Sequence, residues 1–280
     1  MPAMSRRPWW ERVLWVGAAL AGLALVWEGY KVLGRFTDSL PVRSTNAAMP
    51  HVWDIVGSLF ESTQQGGGEL LLVTLLRSAA YTLREAAVGF LLGGSVGLLI
   101  AMVFVRSPLL ERSFMPYVVA SQTVPLIAIA PMVVIWLGRL GWPRWVPVTV
   151  ISAYLAFFPV VINAVRGLRS PHPDALDLMT ALHASPPQEL WKLRLPASLP
   201  FLFSGLRVAA NAAIVGAIIG ELPAGSGEGL GRTLLTFNQY FSLQPERLFA
   251  AILVSALLGL LFWGVVVGLE RLVVRGGATA

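Results

Sequence analysis

The side chains that could carry out chemistry are few in this chain, and they are dispersed. It has no cysteine, and no two of its histidines, His51, His172 and His183, are spaced as metal ligands on one helix. It also contains no nucleophile elbow, phosphate-binding loop or zinc motif. The sequence therefore offers no recognisable catalytic or metal-binding motif, and we expect no metal or cofactor to be bound by this chain.

The densest polar segment of the second half of the chain is residues 171–200, which apolar stretches flank on both sides. Apolar side chains recur there at helical spacing between Asp174 and Leu182, so a short helix is expected. A polar hairpin between two membrane spans is a candidate surface for a soluble partner. An ordinary loop between spans is the alternative.

A second short helix is predicted within the same segment. Ser185 is a suitable N-cap, and Pro186 suits the first helical position because its missing N–H would have no partner there. Gln188 completes a capping box with Ser185. We expect Pro196 to end this helix at about Leu195.

The composition places most of the chain in a membrane. Hydrophobic residues make up 56% of the sequence and charged residues 13%, where soluble domains have about 25% charged residues. The net charge of +6 comes from Arg and Lys around the ends of apolar stretches. Anionic lipid headgroups explain this charge better than nucleic acid does.

The apolar stretches predict an all-α polytopic protein with six transmembrane helices. A helix of about 20 residues crosses a hydrocarbon core of ~30 Å. For the first stretch, a cleaved signal peptide is the alternative. Residues 50–61 predict an amphipathic helix on the membrane surface, and residues 223–245 a Gly-rich polar loop. The predicted spans are 13–33, 86–105, 114–137, 146–165, 201–222 and 248–269.

Small, polar or helix-breaking residues at membrane depth are candidates for a translocation path. Pro125 and Pro131 should each bend the third span, and the carbonyls that they free are tolerated only against protein or water. A structural kink without a role in the path is the alternative. Glu85 and Glu221 could be functional because carboxylates within a membrane are costly, but both lie near predicted span ends, which favours an interfacial role. The path candidates are Gly93, Gly97, Pro125, Asn163 and Asn211.

Several motifs, in order, resemble the inner-membrane permeases of bacterial ATP-binding-cassette importers. The resemblance covers roughly Leu70 to Arg271 and is closest to the branch that handles nitrate, taurine, alkanesulfonates, bicarbonate and some vitamin precursors. The matching residues are Leu83-Arg84, Gly89-Phe90, Gly97, Val124-Pro125, Pro131, Trp136-Leu137-Gly138, Phe158-Pro159, Asn163, Ala184-Ser185, Leu195-Pro196-Ala197-Ser198-Leu199-Pro200, Phe201 and Ser204-Gly205-Leu206-Arg207.

The chain departs from the family pattern within the hairpin. Asp177 stands where the family has glutamate, Met179 replaces an alanine, and His183 replaces a glycine at the turn between the two helices. Glycine adopts positive φ without strain, and histidine does so at some cost. We therefore expect a strained or reshaped turn at His183.

The resemblance implies a type I importer permease fold with a cytoplasmic hairpin of coupling helices. It implies an N-terminal segment 1–69 with the first span, a permease domain 70–271 and a cytoplasmic tail 272–280. The implied surface that couples to the ATPase consists of Asp177, Ala181, His183, Ala184, Ser185, Gln188 and Glu189.

The resemblance also implies partners and a location. Two ATPase subunits would use ATP and Mg²⁺, a solute-binding protein would deliver the ligand, and a second permease copy, by default identical, would complete the path. The expected location is the bacterial inner membrane with both termini cytoplasmic, and the slight excess of Lys and Arg on that side agrees. Lipid is the other expected partner, and nucleic acid is not one.

Two other classes of function are compatible with a bundle of membrane helices. An integral-membrane enzyme acting on lipid-linked substrates would need ionisable residues clustered at one membrane face, and here they are dispersed. A secondary transporter or channel driven by an ion gradient favours internal repeats, and the sequence has none that is convincing. Copurification of an ATPase subunit would distinguish the importer permease from both.

Overall fold

The computed structural model describes residues 9–36, 45–46, 48–63, 68–225 and 228–276, which are nearly all helical. The chain forms two compact units. One unit consists of Met1–Val73 with Thr236–Ile252, and the other of Thr74–Leu235 with Leu253–Ala280.

The helices follow one another with short connections. They are α1 Trp9–Phe36, α2 Val52–Ser58, α3 Leu71–Arg106, α4 Pro108–Ser121, α5 Leu126–Arg139, α6 Trp145–Leu168, α7 Pro173–Ala181, α8 Pro186–Glu189, a π-helical turn Leu190–Arg194, α9 Leu195–Ala224, α10 Leu230–Gln239 and α11 Pro245–Gly276.

Within the described residues, four helical segments are long and apolar enough to cross a membrane. The pair α4 and α5 raises that number to five if the two together form one span. The chain is therefore a multi-pass membrane protein, and the count of six spans stays a prediction. The four segments are Leu71–Arg106, Trp145–Leu168, Pro186–Ala224 and Pro245–Val274.

The third predicted span consists of two helices rather than one bent helix. The axes of α4 and α5 differ by 97° across the break between Ser121 and Leu126. Pro125 occupies the N-cap position of α5. It has no N–H to continue α4, and it biases Val124 away from helical geometry. Pro131 lies inside α5 and does not interrupt it. Of the two prolines expected to bend this span, Pro125 is therefore the one at the break.

In the first unit, side chains of α1 hold the start of α2. The carboxylate of Glu28 accepts hydrogen bonds from His51 Nδ1 at 2.6 Å and from the Val52 N–H at 2.9 Å. The indole N–H of Trp27 donates to the Pro50 carbonyl at 3.0 Å. These bonds satisfy backbone groups at a helix end. The helix is shorter than the predicted amphipathic segment 50–61, and its position on the membrane surface stays a prediction.

The centre of the second unit is the packing of α6 along α9. Small residues let the two backbones approach: a Cβ at Gly216 would lie 2.8 Å from the Ser152 Cα, and one at Gly220 would lie 3.1 Å from the Val148 Cα. The hydroxyl of Ser152 donates to the Ala213 carbonyl at 2.9 Å, which adds a buried hydrogen bond between the helices. Close approach through small residues and interhelical hydrogen bonds is how helices associate in lipid.

The helix α3 packs equally closely against α6, and this contact gives a test with a matched control. A Cβ at Gly93 would overlap the Ala153 carbonyl oxygen, whereas a Cβ at Gly94 would meet Leu206 Cδ2 at 3.7 Å, an ordinary contact. We expect Gly93→Ala to lower the free energy of unfolding by about 1–3 kcal/mol. Gly94→Ala should be neutral or stabilising, because alanine favours a helix by about 1 kcal/mol over glycine. Thermal unfolding of both variants in detergent checks this, and equal effects would contradict the close contact.

Candidate functional site

The polar hairpin begins with α7, whose last turn closes in a Schellman motif. The N–H of Ala184 donates to the Met179 carbonyl at 2.9 Å, and the N–H of His183 donates to the Thr180 carbonyl at 3.0 Å. This pair of bonds satisfies two carbonyls that the helix end leaves without partners. The predicted helix over 174–182 is thus confirmed to within one residue, as Pro173–Ala181.

His183 has a φ of 50°, and among the described residues it is the one non-glycine residue with a positive φ. The left-handed conformation is what the Schellman motif requires at this position, where glycine is the usual residue. Of the two outcomes expected at His183, the structure shows the positive-φ turn kept with histidine rather than a reshaped turn.

Replacing His183 with glycine should stabilise the turn locally. The left-handed conformation costs an L-residue about 1–2 kcal/mol, and the greater freedom of unfolded glycine offsets part of the gain. We expect His183→Gly to slow hydrogen exchange of the Ala184 amide about 5-fold, a change of ~1 kcal/mol. The matched variant His183→Val should speed the exchange, because a β-branched residue tolerates positive φ poorly. Faster exchange in the glycine variant would contradict the assignment.

The second hairpin helix starts as its sequence predicts. Pro186 begins α8, and the N–H of Ser185 donates to Gln188 Oε1 at 2.8 Å. Arg194 then fixes the base of the hairpin, with its Nε 2.6 Å from Glu189 Oε1 and its Nη1 donating to the Leu168 carbonyl at 2.9 Å. The hairpin is therefore tied to the end of α6 as well as capped at its own helix starts.

The predicted end of this helix at Pro196 is wrong. Pro186–Ala224 forms one continuous helical segment of 39 residues. A π-helical turn, Leu190–Arg194, directly precedes Pro196, which occupies the first turn of α9. The wider turn offers a physical reason, because it shifts the hydrogen-bond pattern where proline lacks an N–H. The second arm of the hairpin is thereby joined without a break to a membrane-spanning helix.

The hairpin presents a mixed polar and apolar surface. Leu178, Leu182 and Trp191 are 59%, 68% and 68% exposed. Large apolar side chains exposed together on a polar segment mark an interaction surface. Of the residues predicted for coupling, Ala184 and Glu189 are half-buried, and the others are exposed: Asp177, Ala181, His183, Ser185 and Gln188. Their role in coupling stays a prediction.

Three of the candidates for the translocation path are engaged in helix contacts, two between α3 and α6 and one within α6. Gly93 and Gly97 are buried where α3 approaches α6, at Ala153 and Phe157. The side-chain amide of Asn163 donates to the Pro159 carbonyl at 2.8 Å. Pro125 lies at the bend between α4 and α5. The role of these four residues in a path stays a prediction.

Asn211, the fifth candidate, is exposed on α9 and lines an open cavity of about 350 Å³. Its amide has no hydrogen-bond partner among the described residues. Arg207 lies one turn earlier on the same helix face, with its Nη1 3.5 Å from Glu270 Oε2. The other residues of this cavity are Ser204, Val208 and Trp263.

At the far end of α9 from the hairpin, two side chains hold the start of α10. Glu221 accepts from the Gly231 N–H at 2.5 Å and from the Thr82 hydroxyl at 2.6 Å. The Thr82 hydroxyl oxygen in turn accepts from the Leu230 N–H at 2.9 Å. A carboxylate at the first turn of a helix satisfies an unpaired N–H and complements the helix dipole.

One expectation from the sequence is wrong at this site, because the segment 223–245 contains the helix α10 rather than only a polar loop. Glu85 and Glu221 are buried in the protein, 1% and 0% exposed, and their interfacial depth in the membrane stays a prediction. The sequence did contain a signal for this close packing, namely the glycines Gly229 and Gly231 at the start of α10. A Cβ at Gly229 would overlap the Glu221 carboxyl group, and one at Gly231 would overlap a carbonyl of α9.

Comparison with known proteins agrees with this architecture. Residues 93–275 match the family described as binding-protein-dependent transport system inner membrane component. A "probable ABC transporter permease protein" of Haemophilus influenzae is 34% identical over 83% of this chain and 85% of its own length. The formylaminopyrimidine transport permease protein ThiX of Halalkalibacterium halodurans is 34% identical over 68% and 74%. The putative aliphatic sulfonates transport permease protein SsuC of Bacillus subtilis is 33% identical over 67% and 65%.

Proposed function

The chain belongs to the family of binding-protein-dependent transport system inner membrane components, and on that premise we propose that its polar hairpin transmits the motion of a partner ATPase to its membrane helices. The resemblance drawn from several motifs along residues 70–271 is confirmed. The protein is the permease subunit of an ATP-driven importer, and ATP hydrolysis is done by a partner ATPase rather than by this chain. The enzyme and secondary-transporter alternatives are accordingly set aside.

The observation that carries the coupling proposal is the continuity of the hairpin with a membrane span. The segment Pro186–Ala224 has no break between the hairpin and the membrane. A displacement of the hairpin would therefore move α9 as a rigid body, and α6 would follow because it packs along α9. A flexible loop at Pro196 would not transmit the displacement of the hairpin to α9.

The exposed surface of the hairpin fits a hydrophobic groove on the ATPase. Leu178, Leu182 and Trp191 supply apolar contact area, and Asp177 and Gln188 supply polar contacts at its rim. Interfaces combine an apolar centre with a polar rim in this way. ATP and Mg²⁺ would be bound by the ATPase dimer, whose closure would draw two hairpins together.

The topology that fits this mechanism has six spans with both termini and the hairpin in the cytoplasm of a bacterium. The four long segments and the pair α4–α5 account for five spans. The helix α1, with 28 residues, would reach about 42 Å and supplies the sixth.

The translocation path in this proposal runs along the face of α9 that bears Asn211. An exposed amide at membrane depth is tolerated only against protein or a water-filled cavity. We assign this face to the path between two permease copies, with Ser204 and Arg207 as further lining residues. A homodimer is the default because the chain supplies one such face.

The substrate class proposed is a small anion or a heteroaromatic precursor, delivered by a solute-binding protein outside the membrane. The relatives named above include permeases for aliphatic sulfonates and for formylaminopyrimidine. The binding protein would set much of the selectivity.

Copurification tests the proposed function. A tagged permease expressed with the ATPase of its own system should bring that subunit down in near-equal amounts, and the permease alone should hydrolyse no ATP. Addition of the loaded binding protein to the reconstituted complex should raise ATP hydrolysis. A permease that brings down no ATPase would contradict the proposal.

A further inference from the structure

The buried carboxyl group of Glu85 has no role in the transport mechanism described above. Its side chain is 1% exposed, and neither of its carboxyl oxygens receives a hydrogen bond from any donor among the described residues. An unpaired buried carboxylate is among the most costly groups that a protein can hold. Some group must therefore compensate Glu85.

The hydroxyl of Thr82, one turn before Glu85 on α3, donates to Glu221 Oε1, which brings the carboxyl group of Glu221 to the same place as that of Glu85. Glu221 is itself buried and already accepts hydrogen bonds from Thr82 and the backbone of Gly231. An ionised carboxylate has no proton to donate, so two ionised carboxylates cannot hydrogen-bond to each other. Two like charges in contact inside a protein repel strongly as well.

Within the part of the chain that the structure describes, neither glutamate forms an ion pair. Arg84 precedes Glu85 on α3, and its positive charge opposes the protonation of Glu85, but its guanidinium lies over the Trp145 ring, 5.3 Å from the ring centre. Glu228, in the loop before α10, adds negative charge, and Tyr81 is one turn away on α3.

We propose that Glu85 and Glu221 form a buried proton-binding site in which one shared proton joins the two carboxyl groups. Glu85 carries the proton and donates to Glu221, which remains the acceptor for the N-terminus of α10. The bound proton thereby links three elements, α3, α9 and α10, at the end of the bundle opposite the hairpin. This site is independent of the coupling proposal, because its readouts are proton binding and stability rather than transport.

The pH dependence of stability tests the site. An unfolded chain releases a glutamate proton near pH 4.3, so between about pH 5 and 8 the folded protein would hold one proton that the unfolded chain does not. Stability should therefore fall as pH rises through this window, with the slope of one proton. We expect this slope in the wild-type unfolding temperature and its loss in Glu85→Gln, whose amide donates to Glu221 without a titratable proton. Asp174→Asn, at an exposed carboxylate on the hairpin, should keep the wild-type slope.

Infrared spectroscopy of the folded protein gives the second readout. The wild type should show a protonated carboxyl band at pH 7 that is absent in Glu85→Gln. If this variant fails to fold, the wild-type spectrum alone tests the proposal. A wild type without the protonated carboxyl band at pH 7 would overturn it. Equal slopes of unfolding temperature against pH in the wild type and Glu85→Gln would overturn it as well. So would a stability that depends on sodium concentration at fixed pH, because the site would then hold a metal cation rather than a proton.

Discussion

Ala184→Asp is expected to abolish substrate uptake while leaving the protein inserted in the membrane at its normal level. Ala184 is half-buried at the turn, directly after His183. A carboxylate at this position in the docked hairpin would lose water without gaining a partner, at about 2 kcal/mol or more of docking free energy, roughly 30-fold in affinity. Uptake of labelled substrate by cells, together with immunoblots of the membrane fraction, measures both parts of this result.

The matched control at this position is Ala184→Ser. Serine is close to alanine in size and carries no charge, so uptake should remain near the wild-type rate. ATPase subunits should copurify with the serine variant and be lost from the aspartate variant. Normal uptake by Ala184→Asp would show that the turn is not part of the coupling surface.

Glu221→Ala is expected to produce the largest loss of stability of the substitutions proposed here. The change leaves the Gly231 N–H and the Thr82 hydroxyl without their buried acceptor. Each unsatisfied buried group costs about 1–3 kcal/mol, so the free energy of unfolding should fall by about 2–4 kcal/mol. The unfolding temperature in detergent should drop by roughly 5–15 °C.

The comparison variant is Glu228→Ala, which removes an exposed carboxylate close to the same loop. Exposed substitutions usually change stability by about 0.5 kcal/mol or less. Hydrogen exchange of the Gly231 amide should accelerate in Glu221→Ala and not in Glu228→Ala. Equal unfolding temperatures for the two variants would mean that Glu221 does not hold the start of α10.

The parts of the site that follow from local sequence could be predicted. Three such features are the range of α7, the capping of α8 by Ser185 and Gln188, and the positive φ at His183. Each depends on residues within one or two helical turns of each other. Helix caps and left-handed turns have strong sequence signals for this reason. The motifs that follow one another along residues 70–271 were also sufficient to identify the family.

The parts that depend on distant residues could not be predicted. Proline normally ends a helix, and the continuity through Pro196 depends on a π-helical turn that no residue type specifies. The bonds of Thr82 to Glu221 and to the Leu230 N–H join residues that are 139 and 148 positions apart along the chain. A sequence pattern places each of these residues on its helix and does not show that they meet.

The position of the hairpin relative to the ATPase is the central claim, and the chain is suited to testing it because it has no native cysteine. Ala181→Cys places a single thiol at an exposed position on α7. In intact cells a membrane-impermeant thiol reagent should leave this cysteine unlabelled, and in membrane vesicles a short bifunctional reagent should join it to an ATPase subunit. Labelling from outside the cell, or the absence of any adduct with the ATPase, would contradict the account.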